Sequence, residues 1–75
     1  MVKYSMYAIY NEDDDFWFNF EMDGWVDQFE LEGDCLLPTE DMAQNFIEEN
    51  LEGESVKVYK VELVATGSYE YSPVQ

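Results

Sequence analysis

A small α+β domain is the fold class this sequence predicts. It would have a sheet of about four strands, antiparallel or mixed, in the order strand-strand-strand-helix-strand, with one helix packed across a face. Three observations carry the expectation. Residues 16–22 alternate apolar and polar side chains, residues 42–51 repeat apolar side chains at helical spacing, and residues 55–65 are dense in β-branched and apolar types. Seventy-five residues make a single domain, 1–75, with one modest core. Five Phe, six Tyr and two Trp supply that core, whereas disordered acidic chains are poor in aromatics.

The elements follow in order. Lys3 to Tyr10 is a short apolar and aromatic run that reads as a first strand, and Asn11 to Asp15 breaks it with a solvated loop. From Phe16, the side chains of Phe16, Phe18, Phe20 and Met22 point one way and Trp17, Asn19 and Glu21 the other, so the Phe row is assigned to the core. Asp23-Gly24 then reads as a two-residue hairpin turn with positive φ at both positions. Alternation resumes from Trp25 to Leu31, with Trp25, Phe29 and Leu31 on the inner face. Asp27 falls on that face and signals a bulge or an edge. Gly33-Asp34 is a turn. Pro38-Thr39 opens a helix: Thr39 caps it, Glu40 and Asp41 suit its positive end, and Met42, Ala43, Phe46, Ile47 and Leu51 form its apolar stripe. Gly53 stops it. Ser55 to Ala65 reads as the last strand, central and covered on both faces, and 67–75 as a flexible tail that Tyr69 and Tyr71 would dock.

Charge dominates the functional reading. Eighteen Asp and Glu stand against three Lys, for a net charge of −15. Self-repulsion at this density works against a compact state, and a small soluble domain needs a magnitude of only about 2–8. A negative surface argues against direct contact with nucleic acid or anionic lipid. No apolar run is long enough for a membrane span, and Met1-Val2-Lys3-Tyr4 lacks the basic and apolar regions of a signal peptide. With one cysteine, Cys35, no internal disulfide forms, which fits a reducing compartment.

Catalysis is not expected. There is no histidine to serve as a general base near neutral pH or to pair with Ser or Cys. Carboxylate pairs are chemically able to do glycosidase-type work, but among this many acids a suggestive pair means little. Glu12 to Asp15 suits weak divalent-cation binding yet lacks the alternating ligands and central Gly of a calcium loop, so neither a dedicated metal site nor a cofactor is expected. Cys35, among acidic neighbours, reads as a small hydrophobe and not as a nucleophile. Trp17 is out of phase with the Phe row. It is either an outward interface aromatic or a side chain packed beneath the tail tyrosines.

The acids themselves are the candidate site. They group as the loop acids Glu12, Asp13, Asp14 and Asp15, the hairpin acids Asp23, Asp27, Glu30, Glu32 and Asp34, and the helix ridge of Glu40, Asp41, Glu48, Glu49 and Glu52. Spread along a folded chain, they acquire fixed spacing, unlike the acids of a disordered tail. Duplex DNA presents one negative charge per roughly 1.7 Å of axis, and a rigid set of carboxylates at similar spacing can occupy a surface built for it.

In length, in its charge of −15, in Glu12-Asp13-Asp14-Asp15 and Glu48-Glu49, and in its α+β pattern, the chain resembles the small acidic proteins that lytic bacteriophages make early in infection to take over the host. Within that class it looks most like the DNA-mimic inhibitors of HU-type nucleoid proteins, acidic homodimers of similar size. The resemblance implies a homodimer that binds the basic DNA-binding surface of a bacterial host protein and blocks DNA. Small size and a spare aromatic point to a dimer as well. The alternative is an adaptor that grips a host enzyme such as RNA polymerase through an apolar or edge-strand contact, with the charge serving solubility alone.

Overall fold

The structure is a computed structural model that describes residues 4–63 and 69–74. Its central strand, β1 (Tyr4–Asn11), pairs along its whole length with β4 (Val56–Leu63), in a register that sets Tyr4 opposite Leu63 and Asn11 opposite Val56. On the other side of β1, a four-residue loop leads to β2 (Phe16–Asn19), which pairs in turn with β3 (Gly24–Asp27). Beyond β4 lies β5 (Tyr69–Pro73). The sheet is thus five-stranded, ordered β3-β2-β1-β4-β5, with every neighbouring pair antiparallel. The α+β class and the single helix agree with the sequence. The fifth strand falls where a tail was expected, because alternation in Tyr69-Glu70-Tyr71-Ser72-Pro73 is masked by its polar residues. Pro73 is tolerated because β5 is an edge.

Helix α1 (Glu40–Asn50) lies on one face. The Thr39 hydroxyl accepts from the Met42 N–H at 3.2 Å, as the capping pattern requires. Ala43, Phe46, Ile47 and Leu51 pack onto Ile9, Phe18 and Val58, while Met42 is turned away and 47% exposed. Gly53 adopts φ +87° just past the helix, a conformation that favours glycine.

The second face is covered too, and several expectations fail there. After Asp27 the strand gives way to a 3₁₀ turn, Gln28–Glu30, and then to a second, Gly33–Cys35. This segment folds back across the far side of the sheet. Cys35, Leu31 and Leu36 pack there against Ala8, Tyr10, Trp17 and Val61. At Leu37 the chain passes to the helix side by pairing with Tyr7 through two backbone hydrogen bonds of 2.7 and 2.8 Å. Both faces of β2 are therefore inside, so the reading of Trp17 as an outward interface aromatic is corrected, as is the outward placing of Asn19: each is 0% exposed. Conversely, Met22 is 67% and Phe29 87% exposed, because β2 ends at Asn19 and β3 at Asp27, before either residue joins the alternation. The tight Asp-Gly turn is likewise replaced by a four-residue loop from Phe20 to Asp23. Asp23 takes φ +54°, and Gly24 is the first residue of β3.

Candidate partner-binding surface

The acidic loop between β1 and β2 is built by its neighbours. The buried Asn11 carboxamide oxygen accepts from the N–H groups of Asp13 (2.9 Å) and Asp14 (3.1 Å), and the Asp15 N–H returns to the Asn11 carbonyl at 2.9 Å. Asp15 closes the loop at φ +58°, which Asp tolerates better than most side chains. Its carboxylate accepts from the Tyr10 hydroxyl, itself part of the core. Glu12, Asp13, Asp14 and Asp15 are all exposed, so the loop holds four carboxylates in water on a tethered backbone.

Topology brings further acids to the same end of the sheet. Asn11 faces Val56, and the Glu12 N–H donates to the Ser55 carbonyl at 3.0 Å, which places the Glu52 and Glu54 segment beside the loop. Phe16, which follows Asp15, faces Asp27 in β3. The Asp27 carboxylate accepts from the Phe29 N–H at 3.0 Å, and Glu30 follows.

A second group sits at the opposite end of β2. The buried Asn19 side chain donates to Glu32 at 3.1 Å and accepts from the Met22 N–H at 2.9 Å, while the Phe20 N–H donates to the Asp34 carbonyl. Asp34 is the main influence on Glu21: a carboxyl hydrogen bond and its charge, with smaller contributions from burial and Glu32, push the Glu21 carboxyl above its ordinary 4.5. Asp23 lies on the adjoining loop. Between the two ends runs α1, where Asp41, Glu48 and Glu49 are exposed and Glu40 is half-buried. Its last turn holds no basic residue.

The candidate acids thus all reach the surface, as two end groups and a helical ridge. Sequence reasoning passed over Glu21, whose influential neighbour Asp34 is distant in the chain. Among the described residues the one ion pair is Lys57–Glu12, at 3.6 Å and largely exposed. Trp17 does not belong to this surface. It lies beneath Tyr71 (ring centroids 5.1 Å apart), against Tyr10 and Tyr59, with its indole N–H donating to the Gln28 carbonyl at 3.0 Å. This is the second of the two placements the sequence allowed. Cys35 is buried, and burial is the main cause that raises its thiol pKa. Among the described residues no helix is long and apolar enough to cross a membrane, no cluster of three or more acids or cysteines is arranged to hold a metal ion, and no pocket opens on the surface. No family model, curated protein or solved structure matches the chain.

Proposed function

We propose that this protein is a DNA mimic that binds the basic DNA-binding surface of a bacterial host protein and excludes DNA from it. The observation that carries the reading is that negative charge is held on a rigid scaffold even where it works against folding. Glu48 and Glu49 sit at the negative end of the α1 dipole, where acids are unfavourable by about 0.3–1 kcal/mol each. Asp34 crowds Glu21, and a hydrogen bond with it and its charge disfavour ionisation of the Glu21 carboxyl. Acids that served solubility alone would not need such positions. Along a long axis of 38 Å the chain carries −15, where duplex DNA of that length carries roughly 22 backbone charges.

The target class follows from this chemistry. A protein that binds DNA through backbone charge and deformability, with little base readout, is the easiest to imitate with carboxylates. An HU-type nucleoid protein is the target of first choice, in keeping with the resemblance to phage host-takeover proteins. A second copy added at the exposed β5 edge would lengthen the charged body and double its charge. Each exposed carboxylate contributes modestly, and the effect is collective.

A pull-down from nuclease-treated bacterial lysate, eluted with a salt gradient, tests the proposal. Recovery of a basic DNA-binding protein that salt releases and added DNA displaces is the expected result. A non-basic partner that resists high salt would instead favour the adaptor reading, for which β5 supplies an edge and Leu63, Tyr69 and Tyr71 supply exposed apolar surface.

A further inference from the structure

Phe29 is 87% exposed, the most exposed large hydrophobic side chain among the described residues, whereas Phe16, Phe18, Phe20 and Phe46 are buried or half-buried. Its position is enforced. In a 3₁₀ turn, residues three apart lie on the same side. Here Gln28 is tied inward by its carbonyl, which receives the buried Trp17 indole N–H, and Leu31 packs into the cluster around Trp17 and Cys35. Gln28 and Leu31 are half-buried, whereas Phe29 and Glu30 are exposed. The Asp27 carboxylate fixes the turn by accepting the Phe29 N–H. The ring therefore stands at the acidic end of the sheet, with Asp27 and Glu30 flanking it in sequence and the loop of Asp13 to Asp15 across the Phe16–Asp27 register.

We infer that Phe29 is the apolar anchor of the acidic interface, and that its occupant is a basic protein surface with an apolar notch among its Lys and Arg residues. The inference rests on the proposed function and adds what charge alone lacks. Exposed carboxylates steer and attract, but they are screened by salt and weakly directional. A desolvated aromatic at the centre of a contact supplies fixed register and an affinity component that salt does not remove.

The test is a titration of purified HU-type protein with the wild-type chain and with Phe29→Ala, at several salt concentrations, with poly-L-lysine as a probe that carries charge but no notch. Phe29→Ala should weaken HU-type binding by about thirtyfold, the mark of a hot spot, with an unchanged salt slope, an unchanged melting temperature and unchanged binding to poly-L-lysine. Phe29→Leu should recover part of the loss. If the wild-type chain does not bind the HU-type protein, the target assignment fails and takes the anchor with it. If the wild-type chain binds and Phe29→Ala binds equally well, the anchor alone is overturned. It is overturned too if Phe29→Ala changes the sedimentation coefficient of the free protein, which would make Phe29 a self-contact.

Discussion

The Tyr10 hydroxyl donates a 2.7 Å hydrogen bond to the Asp15 carboxylate. This one contact ties the acidic loop to the aromatic core, because the Tyr10 ring also lies 4.6 Å from Trp17 and 4.9 Å from Tyr59. Burial first, then the bond to Asp15 and its charge, push the Tyr10 hydroxyl up to about 12. A folded pKa above the ordinary value of 10.0 contributes stability that is complete below pH 10 and is lost as pH rises towards about 12. Tyr10→Phe should cost about 1 kcal/mol at neutral pH, the worth of one hydrogen bond, and should blunt the loss of stability across that alkaline window. Urea midpoints measured at neutral pH and through the window check both effects.

Trp17 is wholly buried, so Trp17→Ala should cost about 3–5 kcal/mol, a large share of the stability of a domain this small. Loss of partner binding in that variant would report unfolding and not a lost contact. Circular dichroism with urea denaturation decides the matter. A Trp17→Ala protein as stable as the parent would contradict the burial.

Glu21→Gln removes one of two crowded carboxyls. Because Glu21 titrates above its ordinary value in the folded protein, its contribution to stability is present at acid pH, below 4.5, and is lost as pH rises. The variant should therefore melt at a higher temperature than the parent at neutral pH, and the gain should fade in acid. Melting curves at the two pH values test this, and equal gains at both would remove the role assigned to Asp34.

Glu49→Lys places a cation at the C-terminal end of α1. Stability should rise by about 0.3–1 kcal/mol through the helix dipole, while affinity for the proposed basic partner falls. Opposite signs in the two measurements are expected of an acid kept for binding. A variant that gains stability and loses no affinity would show that the helix ridge lies outside the interface.

The helix and its cap were legible because Thr39, Glu40 and the Met42-to-Leu51 spacing all point to one element. Four strand runs were legible, two from alternation and two from apolar, aromatic and β-branched density, although β2 and β3 end earlier than their alternation suggested. The second covered face was not. Alternation tells which side chains share a face, yet it does not say whether both faces are covered, and Trp17 and Asn19 looked outward only because the segment from Gln28 to Leu37 had not been folded over them. Phe29 misled for a related reason: its spacing from Trp25 suited a strand, but the Asp27 carboxylate captures the Phe29 N–H and starts a 3₁₀ turn instead. The acids were read correctly as surface residues, because three Lys are too few to neutralise eighteen acids in a core. Their division into two ends depends on strand order, which local patterns do not encode.

The central claim is that carboxylates of this chain take the place of DNA phosphates. Displacement of a fluorescent duplex from an HU-type protein by the unlabelled chain, followed by anisotropy at stepped salt concentrations, tests it most directly. The expected result is complete displacement that weakens steeply as salt rises, and that weakens further when Asp13, Asp14 and Asp15 are changed together to Asn. A duplex that stays bound at saturating chain, or a larger complex holding both chain and duplex, would contradict the claim.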